Sequence, residues 1–201
     1  MSDSKTIDRA ERTIQVAERI AETLHQHQIP SAVIGAAALA VHLCPRYTED
    51  FDLAININPF PTMRRVEEDL RRQGFEVAFD PPDAGDSLGG VLRVTGDDFD
   101  LVEVVNFQNP WPGARDCTVL AREALLEAKV ELSPESPLRV VSLPYLIALK
   151  LYAGGRKSTN DVLELLERNR ELLDLAGLRD VCNRYGLGAA LEPLLTELGF
   201  A

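Results

Sequence analysis

The first part of the chain carries apolar side chains at the period of one helix face. The apolar positions of that face are Ile7, Ile14, Ala17, Ile20, Ala21 and Leu24. This spacing predicts an amphipathic helix that ends near His27, because Pro30 cannot continue it. A short strand is expected next at residues 31–34, followed by a tight turn at Gly35.

Small apolar residues from 36 to 43 then predict a second helix, which Pro45 ends. From residue 50 to residue 57 the pattern changes to the two-residue period of a strand. One face of this strand holds Phe51, Leu53, Ile55 and Ile57, and the other holds Asp50, Asp52, Ala54 and Asn56. Because only the first face is apolar, we expect the strand to bury that side alone.

The remainder of the chain divides into a part with strands and a helical part. We expect a helix from Pro61 to about Gln73, a strand at 76–79, and a hairpin that joins 91–95 to 99–105. After the NPWPG stretch at 109–113, leucine-rich segments predict helices at 142–153 and 159–173 and two shorter ones. The predicted fold class is α/β (α+β), a mixed β-sheet flanked by helices and followed by a C-terminal helical region. The predicted units are a core with its N-terminal helix at 1–110 and the helical region at 111–201.

Composition narrows the class of protein. Hydrophobic residues make up 45% and charged residues 26% of the chain, which is typical of a globular protein and excludes wholesale disorder. The N-terminal stretch lacks the apolar segment of a secretory signal, and the longest apolar run, residues 32–41, is too short to span a membrane. We therefore expect a cytoplasmic protein with no membrane partner. The three cysteines are scattered without CxxC spacing, which favours buried free thiols over a disulfide framework or a zinc site.

A net charge of −11 opposes non-specific attraction to phosphate backbones, so a nucleic-acid partner is possible but not favoured. The nearest candidate for a basic patch lies on the helix predicted after Pro61. It comprises Arg64, Arg65, Arg71 and Arg72, interspersed with Glu67, Glu68 and Asp69. Mixed charges on one helix are typical of a solvated face.

Paired carboxylates stand at the start of two strands. The strings are TEDFDLAI at 48–55 and DDFDLVEV at 97–104. Residues i and i+2 of a strand share a face about 7 Å apart, so Asp50 and Asp52 can bind one cation between them. Neighbouring carboxylates repel each other unless a cation neutralises them, and oxygen ligands favour Mg²⁺ or Mn²⁺. The alternative is that Asp50 is a loop residue and Asp52 a solvent-facing strand position without a ligand.

The run VIGAAALAVHLCPRYTEDFDLAI resembles the nucleotidyltransferase fold of the DNA polymerase beta-like superfamily, especially its minimal bacterial members related to AbiEii-type abortive-infection toxins. That family has a glycine and a small residue at a helix start, then an Arg and a Thr before paired aspartates, and a third carboxylate on a later strand. The matching positions are Gly35, Ala36, Arg46, Thr48, Asp50 and Asp52. The later run SLPYLIALKLYAGGRKSTNDVLELL resembles the family's lysine helix and the helix after it, with Lys150, Lys157 and Asp161.

The resemblance implies a two-metal transfer of a nucleoside monophosphate from an NTP, the substrate, with Mg²⁺ or Mn²⁺ as the cofactor. The second acidic string offers Asp98, Asp100 and Glu103 as the third carboxylate. Strand alternation puts Asp98 and Asp100 on one face and Glu103 on the other. Because the family places its third aspartate directly before an apolar strand, we predict Asp50, Asp52 and Asp100 as the catalytic and metal-binding residues.

The resemblance also implies a set of residues that bind the nucleotide and its phosphates. This set comprises Gly35, Ala36, Arg46, Thr48, Lys150, Lys157 and Asp161. Other roles for these side chains stay open: Lys150 can cover apolar surface with its stem, and Arg46 can form an ion pair with Asp50. Lys157 and Asp161, four residues apart, can form a simple ion pair on a helix surface.

Three functions follow from these observations. The leading hypothesis is a magnesium-dependent nucleotidyltransferase whose hydroxyl acceptor is RNA, a protein or a small molecule. Many transferases of the family carry a serine where this chain has Ala36, so the backbone donor is kept and the hydroxyl is lost. This difference and the acidity of the chain leave a catalytically silent nucleotide- or partner-binding module of a toxin–antitoxin system, with a partner protein, as the alternative. A metal-dependent phosphohydrolase is the third hypothesis.

Overall fold

The structure, a computed structural model, describes residues 2–113 and 117–200. Its helices are α1 Ser2–Gln26, α2 Gly35–Val41, α3 Thr62–Arg72, α4 Thr118–Leu126, α5 Leu143–Ala153, α6 Gly155–Arg168, α7 Leu175–Arg184 and α8 Gly188–Glu197. Its strands are β1 Ala32–Val33, β2 Asp50–Ile55, β3 Glu76–Asp80, β4 Val91–Thr95, β5 Leu101–Asn106, β6 Val130–Glu131 and β7 Arg139–Val140. The side chains of residues 2–7 lie outside the described part, so the predicted core position of Ile7 does too.

All of these strands join one mixed sheet in the order β3-β4-β5-β2-β1-β7-β6. The β2–β5 and β1–β7 pairs are parallel, and the remaining pairs are antiparallel. The mixed sheet flanked by helices confirms the predicted fold class. Parallel pairing needs a long crossover, and here the connection from β2 to β5 contains α3 and the β3–β4 hairpin.

The apolar alternation of β2 faces a core that α1 and α3 cover. Helix α1 packs against α3, β2 and β5. Ile20 and Leu24 of α1, Leu53 of β2 and Leu70 of α3 are fully buried there. Burying each of these side chains contributes about 1.5–3 kcal/mol, so the helical period of α1 and the strand period of β2 are both explained by one shared interface.

The main departure from the sequence prediction lies after residue 113, where only helices were expected. Strands β6 and β7 extend the sheet there, and β7 pairs with β1 through Val33 and Val140. Each strand has two residues, too short for an alternating pattern to show in the sequence. The predicted division at residue 110 stays a prediction, while the sheet and one buried core both extend across it.

The arginines of α3 are exposed, as predicted for a solvated face, but Glu67 is buried. Arg64 and Arg71 form ion pairs with Glu67, and Arg72 pairs with Asp69. The three cysteines are buried, as predicted. Within the part of the chain that the structure describes, no helix is both long and apolar enough to cross a membrane.

Asn106, at the end of β5, is fully buried, and its side chain forms hydrogen bonds to the backbone at residues 57, 89 and 108. Its Nδ2 donates to the carbonyl oxygens of Ile57 at 2.9 Å and Gly89 at 3.0 Å. Its Oδ1 accepts from the backbone N–H groups of Ile57 at 3.0 Å and Gln108 at 3.3 Å. The side chain therefore fixes the end of β2 beside the end of β5, and this keeps the two parallel strands in register.

We predict that Asn106→Ala lowers the free energy of unfolding by about 2–4 kcal/mol, because it leaves buried backbone groups without partners. Urea unfolding followed by circular dichroism measures the change. Asn160→Ala, at an exposed position of α6, is the matched control and should change stability by less than about 0.5 kcal/mol. Equal stability of the two variants would contradict the role assigned to Asn106.

Candidate functional site

Three carboxylates converge where β2 and β5 lie side by side. Asp50, Asp52 and Glu103 each offer an oxygen, and these oxygens lie within 4.8 Å of one another. The parallel register places Asp52 directly beside Glu103, and Asp50 is two residues before Asp52 on the same strand. All three side chains are partly buried, on the face opposite to Phe51 and Leu53.

Gly35, the first residue of α2, makes room for this cluster. Its φ is +63°, in the left-handed region that side chains other than glycine rarely adopt. A Cβ atom on this residue would overlap the carboxylate of Asp52. The neighbouring Ile34 donates its backbone N–H to the carbonyl oxygen of Asp52 at 3.0 Å. The glycine is therefore required because α2 begins in contact with the acidic strand.

The pKa of Asp52 is raised to about 6, chiefly by burial and also by the negative charges of Asp50 and Glu103, while Lys150 and Lys157 act in the opposite direction. The metal-free site thus holds more negative charge than its surroundings stabilise. A divalent cation would remove this imbalance, and three carboxylates are the donor set that Mg²⁺ and Mn²⁺ prefer. The residues present therefore fit the metal that the sequence implied.

Two helices bring positive charge to the same region. Lys150 of α5 donates to Oδ2 of Asp161 on α6 at 2.6 Å, and Arg46 lies 3.8 Å from the same oxygen. Asp161 is only 8% exposed, so it holds Lys150 and Arg46 from a buried position. The ion pairs of the described residues do not include one between Lys157 and Asp161 or between Arg46 and Asp50. Lys157 is exposed.

Two smaller predicted residues take supporting positions. Thr48 donates its hydroxyl to Oδ1 of Asp50, which fixes that carboxylate at the start of β2. Ala36 is buried in the first turn of α2, next to Gly35. The structure therefore brings Thr48 and Gly35 to the acidic cluster directly.

Asp100 is not part of the three-carboxylate cluster. Its Oδ1 accepts from Nε of Arg9 on α1 at 2.5 Å, and its backbone N–H donates to Thr13 of α1 at 2.8 Å. Strand β5 begins one residue later, and its pairing with β2 starts at Leu101 opposite Asp50. Because of this register, Glu103 rather than Asp100 reaches Asp52.

The repeated acidic string suggests a different register from the one observed. Matching TEDFDLAI to DDFDLVEV aligns Asp52 with Asp100, whereas the backbone pairs Asp52 with Glu103, three residues further along. Glu103 was considered from the sequence and set aside. The signal that identifies it is a parallel pairing between the two strands, because residues paired in that register share a face.

Solved structures with a similar fold are nucleotidyltransferases. The solution structure of the antibiotic-resistance factor ANT(2'')-Ia aligns with a TM-score of 0.52 at 16% identity, covering 94% of this chain and 96% of that one. A crystal structure of an antigenic nucleotidyltransferase-like protein from Paracoccidioides brasiliensis aligns with a TM-score of 0.50 at 16% identity, covering 93% and 91%. This chain has a nucleotidyltransferase-like fold. No family model and no curated protein matches its sequence.

A cavity of about 950 Å³ adjoins the carboxylates of this nucleotidyltransferase-like fold. Asp50 lines it, and so do Arg46 and Thr48. The rest of its wall is mostly apolar and comes from α1, α2, β2 and the loop after β6, with Ile14, Ala37, Ala40, Val41, Phe51 and Leu132. The ion-paired Arg9 and Asp100 also line it. Asp50 therefore belongs both to the acidic cluster and to a space large enough for a small molecule.

The raised pKa of Asp52 gives a prediction for the metal-free protein. Because the folded state holds this proton more tightly than the unfolded chain, its contribution to stability is present at low pH and is lost as the pH rises through about 6. Asp52→Asn avoids this loss and should be more stable than wild type by about 1–3 kcal/mol at about pH 8, with a smaller difference at about pH 5.5.

Urea unfolding in the presence of a chelator measures both values. Asp98→Asn, at an exposed aspartate in the connection before β5, is the control and should change stability little at either pH. An Asp52→Asn protein that is less stable than wild type at the higher pH would contradict this electrostatic account.

Proposed function

We propose that the protein is a nucleotidyltransferase that transfers a nucleoside monophosphate from an NTP to a hydroxyl group, with Mg²⁺ or Mn²⁺ as its cofactor. The observation that carries the proposal is the convergence of Asp50, Asp52 and Glu103 beside Gly35. Ions held by these carboxylates would supply Lewis-acid polarisation of the reacting phosphate and activation of the acceptor hydroxyl. The nucleotidyltransferase-like fold supports the proposal.

The protein's own residues divide into two groups in this proposal. Asp50, Asp52 and Glu103 hold the ions, and Glu103 takes the place that the sequence analysis gave to Asp100. The second group orients the triphosphate through the backbone N–H groups of Gly35 and Ala36 and the charges of Arg46, Lys150 and Lys157. Asp161 sets the positions of Lys150 and Arg46, and Thr48 sets that of Asp50. Exposed Lys157 is free to move toward a bound phosphate.

Calorimetric titration with ATP, CTP, GTP and UTP, each with and without Mg²⁺, tests this site. We expect at least one nucleotide to bind in a metal-dependent manner and this binding to be lost in the Asp50→Asn, Asp52→Asn double variant. Glu103→Gln should weaken it by at least about tenfold, because it removes a metal ligand. Asp100→Asn is the matched control and should bind as wild type does.

Two outcomes would change the proposal. Metal-dependent binding that survives in the double variant would place the nucleotide elsewhere and remove its main support. Loss of binding in Asp100→Asn together with normal binding in Glu103→Gln would restore Asp100 as the third carboxylate. Release of pyrophosphate on addition of an acceptor would distinguish transfer from a phosphohydrolase, which releases inorganic phosphate.

The cavity beside Asp50 is the proposed site of the acceptor. Lys150 and Lys157 are not among its lining residues whereas Arg46 is, so we expect the acceptor to lie beside the triphosphate that these three residues orient. Its volume of about 950 Å³ fits a small molecule, and the net charge of −11 disfavours RNA. We therefore propose a small-molecule hydroxyl compound as the acceptor.

Ala40→Leu should narrow this cavity without touching the carboxylates, because Ala40 lies on its α2 wall. We expect the KM for the acceptor to rise by about tenfold or more, while the KM for the nucleotide stays unchanged. Steady-state kinetics with the acceptor found by screening measures both constants. Ala189→Leu, at an exposed position of α8, is the control, and an equal effect of the two substitutions would contradict this location.

A second candidate function is a nucleotide-binding module without transfer activity. The observation that favours it is Ala36, since a hydroxyl for the phosphates is missing at the start of α2. In that case nucleotide binds with metal, but no pyrophosphate is released with any acceptor. A toxin–antitoxin context with a partner protein, as in AbiEii-type systems, belongs to this candidate and stays a prediction.

A further inference from the structure

A row of side chains extends from the carboxylate cluster across the sheet. The register pairs Asp52 with Glu103, Glu103 with Arg93 of β4, and Arg93 with Ala78 of β3. Residues paired in this way share one face of a sheet, so Arg93 lies one strand beyond Glu103 on the side away from Asp52. It is the neighbour of the third carboxylate and not a member of the cluster itself.

The Arg93 side chain contacts two carboxylates, those of Glu103 and Asp80. Its Nε donates to Oε1 of Glu103 at 2.8 Å, and its Nη1 forms an ion pair with Asp80 at the end of β3. The side chain of Glu103 is 20% exposed, whereas that of Arg93 is 40% exposed. A planar guanidinium held at two of its nitrogens has a fixed orientation, and the fixed Nε in turn restricts the Glu103 carboxylate.

Glutamate needs such a restraint more than aspartate does. Its side chain has one more rotatable bond, so its carboxylate can move further from Asp50 and Asp52, which would otherwise repel it. The bond from Arg93 occupies Oε1 and leaves the carboxylate with further acceptor capacity for a metal. Groups that bond to a metal ligand in this way fix its orientation and raise metal affinity.

We propose that Arg93 is a positioning residue that holds Glu103 toward Asp50 and Asp52 and so sets the affinity of the site for a divalent cation, with Asp80 fixing Arg93. This inference rests on the proposed function, because it assigns Glu103 to metal binding. It adds a residue that neither touches the cation nor lies in the nucleotide site.

The competing explanation is an ordinary cross-strand ion pair that stabilises the sheet alone. The protein contains a matched pair for comparison, since Arg139 of β7 lies opposite Glu131 of β6 in the same antiparallel arrangement, with Nη2 and Oε1 3.5 Å apart. Neither residue belongs to the carboxylate cluster. Arg139→Met therefore measures what loss of a cross-strand Arg–Glu pair does by itself.

The experiment is a titration of the full chain with Mn²⁺, followed by the electron paramagnetic resonance signal of the free ion, without nucleotide. We expect Arg93→Met to weaken Mn²⁺ binding by about 10- to 100-fold. Arg93→Lys should lose less affinity, because lysine keeps the positive charge but lacks the planar guanidinium that bonds both carboxylates. Arg139→Met should leave the affinity at the wild-type value. Circular dichroism and thermal melting establish that each variant is folded.

A double-mutant cycle separates positioning from a general effect on the sheet. In the Glu103→Gln background, Arg93→Met should weaken Mn²⁺ binding no further, because the group that Arg93 positions is already lost. Asp80→Asn, at a largely exposed residue, retains Arg93 and should give a weaker effect in the same direction. It also serves as a second variant if Arg93→Met does not fold.

The outcomes distinguish this inference from the proposed function. Wild-type affinity in both Arg93→Met and Asp80→Asn would overturn the positioning role and leave the metal site intact. Equal losses in Arg93→Met and Arg139→Met, or losses that add in the Glu103→Gln background, would also overturn it. If wild type and Asp52→Asn bind Mn²⁺ equally weakly, the metal site itself is absent and both proposals fail.

Discussion

The parallel pairing of β2 with β5 is the constraint on which the rest of the structure depends. It places Asp52 beside Glu103, with Asp50 two residues away, and so concentrates three carboxylates on one face of the sheet. The pairing is maintained by a core on the opposite face, where the apolar alternation of β2 packs against α1. It is also fixed at the far end by the hydrogen bonds of Asn106. Stability of the fold and placement of the acidic groups thus come from alternate residues of the same strands.

Positive side chains on several neighbouring elements partly offset the repulsion among the three carboxylates. Lys150 and Lys157 act on Asp52 from α5 and α6, and Arg93 acts on Glu103 from β4. These charges do not fully offset the burial of Asp52 and the repulsion from its neighbouring carboxylates, since its pKa remains raised to about 6. A site that is destabilising when empty gains the most from a bound cation, and such local conflict is typical of functional sites.

The sequence predicted the individual helices and strands better than it predicted which of them pair or pack together. Periodicity identified α1 and β2, and the spacing of Asp50 and Asp52 after Gly35 identified two of the three clustered carboxylates, because these signals are local in the chain. The sequence favours Asp100 over Glu103 because the family places its third aspartate directly before an apolar strand. The parallel register that brings Glu103 beside Asp52 depends on long-range pairing, which no local signal shows. The Lys150–Asp161 pair was missed for a related reason: it joins two helices whose relative position only the folded core determines.

In the proposed function, Asp50, Asp52 and Glu103 together bind the ions of a nucleotide-transferring site. Anomalous diffraction from crystals grown with Mn²⁺ and a non-hydrolysable NTP analogue tests it most directly. We expect manganese bonded to oxygens of these three carboxylates, with the triphosphate on the side of Lys150 and Lys157. Manganese bound at Asp100 in place of Glu103, or a nucleotide bound with no manganese at the three carboxylates, would contradict this assignment.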